Sequence, residues 1–158
     1  MIQRLLLGAL VVGTLDIAEV ILFYWLRGVE PIRVVQGVAT GLYGKASFQG
    51  GIRTALIGLA LHFFIATVVV AVYHLASRKI ALLRTAPIVM GATYGLLVYA
   101  FMNAVVLPLS AAGPPRFVLP VVLNGLFAHI FCIGIPTGLL ARAPLTSVGV
   151  RPQQKLTG

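Results

Sequence analysis

The side chains best suited to chemistry in this sequence are ionisable groups that lie inside long apolar tracts. Asp16 and Glu19 interrupt the first tract, His62 lies in the second and His129 in the last. Because an ionisable group at the centre of a bilayer is costly, such residues face the interior of a helix bundle and mark ligand, ion or proton sites. The i, i+3 spacing of Asp16 and Glu19 predicts that both carboxyl groups occupy one helical face.

Two asparagines, Asn103 and Asn124, add amide groups to this set. At a rise of about 1.5 Å per residue, Asp16 and His129 fall near the middle of their tracts. The other polar groups lie off-centre and, because alternate helices run in opposite directions, on the same side of the middle. The sequence therefore predicts a polar pocket beside the long first loop, formed by Asp16, Glu19, His62, Asn103, Asn124 and His129.

Three interpretations of this pocket are open at the sequence level. The first is a self-satisfied network of hydrogen bonds that fixes the arrangement of the helices. The second is a haem b held by His62 and His129, each of which follows a glycine by one helical turn. The third is a metal or proton pathway through Asp16, Glu19, His62 and His129, without an indication of which metal.

The tracts that must position these residues are long enough to cross a membrane. The 158-residue chain is 59% hydrophobic and 9% charged, whereas a soluble domain has about 25% charged residues. Four apolar tracts, at about 5–26, 54–75, 86–109 and 117–140, reach the roughly 20 residues that a helix needs to span a bilayer. Since backbone groups must be paired inside lipid, these tracts predict an all-α, four-helix transmembrane bundle in residues 1–142.

The first connection is long enough to hold a further element. Glu30-Pro31 is typical of a helix start, and Ile32, Val35, Ala39 and Tyr43 follow at helical spacing. We expect an amphipathic helix over 31–43, interfacial or re-entrant. Residues 143–158 are polar and predicted to be disordered.

The second and fourth tracts share the pattern G-L-x-x-H-x-F, which ends at Phe64 in one and Phe131 in the other. This pattern favours two repeated hairpins related by a pseudo-two-fold axis along the membrane normal. Pro136, inside the fourth tract, predicts a kink because proline lacks the N–H that an α-helix uses.

The charge distribution indicates partners and orientation. Twelve basic residues against three acidic ones give a net charge of +9, and most basic residues flank the apolar tracts. This pattern is typical of anchoring to anionic lipid headgroups, and no basic run is long enough to suggest nucleic acid. Seven basic residues on the side of the termini against five on the other side predict that both termini are cytoplasmic: Arg4, Arg78, Lys79, Arg84, Arg142, Arg151 and Lys155 against Arg27, Arg33, Lys45, Arg53 and Arg116.

Two segments resemble a group of small, uncharacterised bacterial membrane proteins with four spans. They are Gly50–Leu59, which leads to His62, and Tyr99–Ser110 with its Met102-Asn103 pair. The resemblance implies a multi-pass protein of the bacterial inner membrane and carries no activity or functional residue with it.

The sequence contains no phosphate-binding loop, H-E-x-x-H or G-x-S-x-G motif, and the single Cys132 excludes a disulfide framework. We therefore expect a non-enzymatic accessory or scaffold subunit that associates with other membrane subunits or with copies of itself. The alternative is a haem b, metal or proton carrier that uses the polar pocket.

Overall fold

The computed structural model describes residues 2–142, with side chains from residue 5 onward. Within this part the chain is helical and has no strand: α1 (Ile2–Trp25), α2 (Pro31–Tyr43), α3 (Gly51–Lys79), the short α4 (Leu82–Thr85), α5 (Pro87–Leu109) and α6 (Leu119–Leu140). The predicted tail at 143–158 lies outside the described residues, as do the side chains of Arg4, Arg151 and Lys155.

Among the described residues, four helices are long and apolar enough to cross a membrane: α1 from Leu5, α3, α5 and α6. The predicted all-α, four-span fold is therefore confirmed. The spans differ from the predicted tracts mainly in α3, which begins three residues earlier, at Gly51, and ends four residues later, at Lys79. Large apolar side chains on their outer faces are exposed, such as Leu97 at 61% and Phe64 at 64%, as a lipid-facing surface requires.

Local sequence signals explain several helix ends. Pro31 and Pro87 occupy first-turn positions of α2 and α5, where a missing N–H costs nothing. Two glycines with positive φ end the first two helices: Gly28 (φ +80°) follows α1 and Gly44 (φ +57°) follows α2. These left-handed conformations are easy for glycine and strained for other residues, so the chain turns sharply at both places.

The spans form a ring in which α1 packs against α3 and α6, and α6 packs against α5. The α5–α6 contact is close because Gly91 and Gly95 of α5 face Gly134, Gly138 and the His129 backbone of α6. Such glycines allow the close approach on which helix association in lipid depends.

The ring closes between α3 and α5 at one end. The Tyr94 hydroxyl of α5 donates to the Val69 carbonyl of α3 at 2.7 Å, and the Tyr73 and Tyr94 rings meet edge to face with centroids 5.0 Å apart. Tyr73 in turn donates to the Leu83 carbonyl at 2.9 Å. These contacts lie near the short connection that joins α3 to α5. Elsewhere the two helices make little contact with each other.

Candidate functional site

A cavity of about 850 Å³ lies inside the ring of spans. All four spans contribute to its wall, with side chains such as Val12 (α1), Ile65 (α3), Val98 (α5) and Ile133 (α6). At the end away from the Tyr73–Tyr94 contact, α2 forms part of the wall. Most of the surface is apolar, and polar side chains are few.

The polar part of the cavity begins where α1 and α3 approach closely. Gly13 has no Cβ, and an added one would overlap the Phe63 ring. This close approach lets the His62 Nε2 donate to the Gly13 carbonyl at 2.8 Å. The other ring nitrogen, Nδ1, lies 3.9 Å from the Asp16 Oδ2.

Asp16 is the acidic side chain of the cavity wall. Its carboxyl group lies beside His62, and its side chain is only 15% exposed. Oδ2 faces His62, whereas Oδ1 is buried and has no hydrogen-bond partner in the described part of the chain. A buried carboxylate oxygen without a donor is unusual and costs free energy.

The last two spans each contain a π-helical segment that holds a cavity residue. In α5 this segment is Met102–Val106, and in α6 it is Ala128–Gly134. Each segment ends two residues before a proline, Pro108 or Pro136. Since proline cannot donate to the carbonyl four residues earlier, the wider π turn accommodates it. The discontinuity predicted at Pro136 therefore takes the form of a π-helical segment, and α5 contains a second one.

Asn103 and His129 are each the second residue of their π segments, and they behave alike. The Asn103 Nδ2 donates to the Tyr99 carbonyl at 2.8 Å, and the His129 Nδ1 lies 2.8 Å from the Gly125 carbonyl. Both bonds run from a side chain to the carbonyl four residues earlier. The two side chains thus satisfy carbonyls at the start of each π segment and keep their remaining polar atoms for the cavity.

Helix α2 is held across the end of the cavity by contacts with α3 and with the connection between α5 and α6. The Gln36 Nε2 donates to the Gly51 carbonyl at 2.9 Å, and the Gly41 carbonyl accepts from the Ala111 N–H at 3.1 Å. Gly58 of α3 packs directly on the α2 backbone at Val35. The helix predicted at 31–43 is therefore packed on the bundle, while its depth in a membrane stays a prediction.

The structure divides the predicted pocket residues into two groups. Four of them line the cavity: Asp16, His62, Asn103 and His129. The other two pair with each other outside it, where the Asn124 Nδ2 donates to the Glu19 Oε2 at 3.3 Å.

Comparison of the chain with protein-family models, with curated proteins and with solved structures gave no match. The function is therefore inferred from the residues of the cavity. Across residues 5–142, no group of three or more His, Cys, Asp or Glu side chains is arranged to hold a metal ion. The described acidic and histidine side chains thus do not form a ready-made metal centre.

Sequence reasoning did not identify the contribution of α2 to the wall. Arg33, Val34, Gly37, Val38 and Gly41 all line the cavity. The i, i+3, i+4, i+7 spacing of the last four was the available signal, and it defines a second helical face next to the one packed on α3. A Cβ built on Gly37 would have no atom within 4 Å outside its own helix, so this face borders open space.

The two copies of the G-L-x-x-H-x-F pattern make different contacts. Gly58 packs against the α2 backbone, whereas Gly125 lies under the Tyr99 ring. His62 bonds to a neighbouring span and His129 to its own helix. The proposed relation between two hairpins therefore stays a prediction, and the shared local geometry links α5 with α6.

Proposed function

We propose that this protein binds a lipophilic small molecule inside the membrane, in the cavity between α1, α2, α3, α5 and α6. The observation that carries the proposal is the cavity itself, of about 850 Å³, whose mostly apolar wall includes the side chains of Asp16, His62, Asn103 and His129. Ligand pockets have volumes of about 300–1,000 Å³ and combine apolar walls with a few placed polar groups.

The surroundings of the cavity favour a ligand that arrives from the bilayer. The wall belongs to membrane-spanning helices, and α2 with its hydrogen bonds to α3 and to Ala111 covers the end nearest the first loop. Beyond the Tyr73–Tyr94 contact, α3 and α5 are the least closely packed neighbours in the ring. A molecule dissolved in lipid can enter between these two spans without crossing water.

The proposal is tested by filling the cavity from α2. Gly37→Phe places an aromatic ring where an added Cβ meets nothing within 4 Å, so the ring occupies the cavity without displacing the helix. Ile32→Phe adds bulk on the same helix at a residue that is 37% exposed and outside the cavity wall, and it serves as the matched control. Native mass spectrometry of protein extracted with its lipids should detect a bound lipophilic molecule in the wild type and in Ile32→Phe. The same molecule should be lost in Gly37→Phe, and equal occupancy in all three proteins would refute the proposal.

Haem b is a second candidate occupant of the same cavity. Both His62 and His129 line the cavity, and one ring nitrogen of each is hydrogen-bonded to a backbone carbonyl. Histidines that bind haem or a metal commonly have such a bond on their second nitrogen. Asp16 beside the free Nδ1 of His62 weighs against it, because that nitrogen would have to bind iron. A Soret band in the purified protein that disappears in both His62→Ala and His129→Ala would show that the occupant is haem and not another lipophilic molecule.

The predicted role as an accessory or scaffold subunit is a proposal with less support. Glycine-lined helices would favour such a role together with the small size of the chain, but Gly91, Gly95, Gly134 and Gly138 pack within this chain. They are therefore not free for a partner, and co-purification of a stoichiometric membrane protein would be the evidence for such a role.

We also propose that the protein resides in the bacterial inner membrane with both termini in the cytoplasm. The support is the excess of basic residues on the side of the termini, seven against five. A reporter fused after residue 158 that is active only in the cytoplasm tests the orientation.

A further inference from the structure

Several side-chain donors of the cavity are already bonded to backbone carbonyls, and this determines which polar atoms remain for a ligand. The Gly13 carbonyl can only accept a hydrogen bond, so the His62 Nε2, at 2.8 Å, must carry the hydrogen. A neutral His62 ring therefore presents Nδ1 as an acceptor. This nitrogen faces Asp16, whose Oδ2 is 3.9 Å away.

The same reasoning applies to the two residues on the π segments. The Gly125 carbonyl fixes the hydrogen of a neutral His129 ring on Nδ1, which leaves Nε2 as an acceptor with no hydrogen bond to any described residue. The Tyr99 carbonyl accepts one of the two Asn103 N–H groups, which leaves the second N–H and the amide oxygen of that side chain. In both histidines, by contrast, a backbone carbonyl takes the one donor of the neutral ring and leaves an acceptor.

Asp16 completes this pattern. Its Oδ1 is buried without a donor, and a carboxylate can only accept. The Asp16 carboxylate and the free nitrogens of neutral His62 and His129 thus offer acceptors in the cavity wall. Acceptors in a mostly apolar wall favour a ligand that brings hydrogen-bond donors, because an acceptor left without a donor costs free energy.

The strongest donor of the wall lies elsewhere. Arg33 belongs to α2, is exposed, and its guanidinium lies 5.0 Å from the centre of the Phe48 ring. Asp16 is roughly 14 Å from the end of α1 at Trp25, at 1.5 Å per residue. An anionic headgroup would therefore be drawn to Arg33 and away from Asp16.

We infer that the ligand carries a donor head, a hydroxyl or a primary amine, on an apolar chain, and that this head binds Asp16 beside His62 and His129. The inference rests on the proposed function and adds the chemical class of the ligand. The apolar chain then extends along the wall toward α2. A head that only accepts, such as an ether or a ketone, finds no donor on the Asp16 carboxylate or on the free nitrogens of neutral His62 and His129.

The test uses four probes with the same decyl chain: decanol, decylamine, decyl methyl ether and decyltrimethylammonium. Binding to the delipidated full-length protein in nanodiscs is measured by native mass spectrometry as a titration. We expect decanol and decylamine to bind about tenfold more tightly than the ether, because a charged acceptor gains most from a donor. We expect decyltrimethylammonium, which has the charge of the amine and no N–H, to bind weakly.

Variants then assign the preference to a residue. Asp16→Leu keeps a side chain of similar size and should reduce the preference for decanol over the ether to near unity. Glu19→Gln, a carboxylate change outside the cavity wall, should leave it intact. Should Asp16→Leu fail to fold, Asp16→Asn replaces it, and the selectivity of the wild type among the probes still decides the chemical class.

The outcomes separate this inference from the proposed function. Equal binding of decanol and the ether, with both blocked by Gly37→Phe, would overturn the donor head and leave the cavity function in place. Tighter binding of decyltrimethylammonium than of decylamine would show that charge decides, and would also overturn it. A preference that survives in Asp16→Leu would remove the assignment to Asp16. If none of the probes binds in a way that Gly37→Phe abolishes, the proposed function itself is overturned.

Discussion

The His62 ring links two parts of the site, since its Nε2 donates to the Gly13 carbonyl at 2.8 Å while its Nδ1 lies 3.9 Å from the Asp16 Oδ2. One side chain thereby joins α3 to α1 and sets which nitrogen faces the carboxylate. Because the carbonyl fixes the tautomer, the polarity of this end of the cavity depends on a backbone contact. That contact in turn depends on Gly13 being small enough for α3 to approach.

We expect removal of the His62 ring to weaken the α1–α3 contact. His62→Ala should lower the free energy of unfolding by about 1 kcal/mol, the typical value of a hydrogen bond between helices in lipid. His62→Gln, whose amide N–H can still reach the Gly13 carbonyl, should recover part of it. His74→Ala is the control, because His74 is in the same helix but away from the cavity wall. The measurement is reversible unfolding in mixed micelles, and equal stability of all three variants would contradict the role of the bond.

The sequence was sufficient for the spans and for α2, because hydropathy and the Pro31–Gly44 boundaries are local signals. It also brought out Asp16, His62, Asn103 and His129, since polar side chains in apolar tracts are conspicuous.

Other features depend on which surfaces meet. Glu19 and Asp16 share a helical face in the sequence, yet Glu19 pairs with Asn124 of a neighbouring span. The π segments could not be derived from Pro108 and Pro136 alone, because a proline also permits a simple kink or a helix end. The cavity itself is a property of packing, and the spacing that defines the α2 face at Gly37 does not tell whether that face meets another helix or open space.

Two glycines should respond in opposite ways to the same substitution. A Cβ on Gly95 would overlap the His129 backbone, whereas a Cβ on Gly37 meets only open space. Gly95→Ala should therefore destabilise the α5–α6 contact by about 1–3 kcal/mol, as overpacking does. Gly37→Ala should stabilise the protein by about 0.5–1 kcal/mol, because glycine is a poor helix former. Thermal unfolding in detergent compares the two directly, and a loss of stability in Gly37→Ala would show that the α2 face is not open.

The hydrogen bonds of Gln36 should limit ligand exchange at the α2 end of the cavity, as a second route beside the one between α3 and α5. Gln36→Met keeps the length of the side chain and removes its bonds to the Gly51 carbonyl and the Thr54 hydroxyl. We expect α2 to separate more readily from the start of α3, so that bound decanol dissociates several-fold faster while its affinity changes less. Gln49→Met, at an exposed position outside the cavity wall, is the control. The measurement is the dissociation rate in a chase with unlabelled probe. An unchanged rate would mean that the ligand leaves by another route, such as between α3 and α5.

The π segment of α6 should depend on Pro136. Pro136→Ala restores an N–H that can bond to the Cys132 carbonyl, and this removes the reason for the wide turn at Ala128–Gly134. If the segment becomes α-helical, the residues on either side of it rotate relative to each other by about 100°, the angle per residue of an α-helix. His129 would then lose its place in the cavity wall, so decanol binding should fall while the free energy of unfolding stays equal or rises. Pro120→Ala, in the first turn of α6, is the matched control and should retain binding. Wild-type affinity in Pro136→Ala would show that packing against Gly91 and Gly95, and not the proline, maintains the π segment.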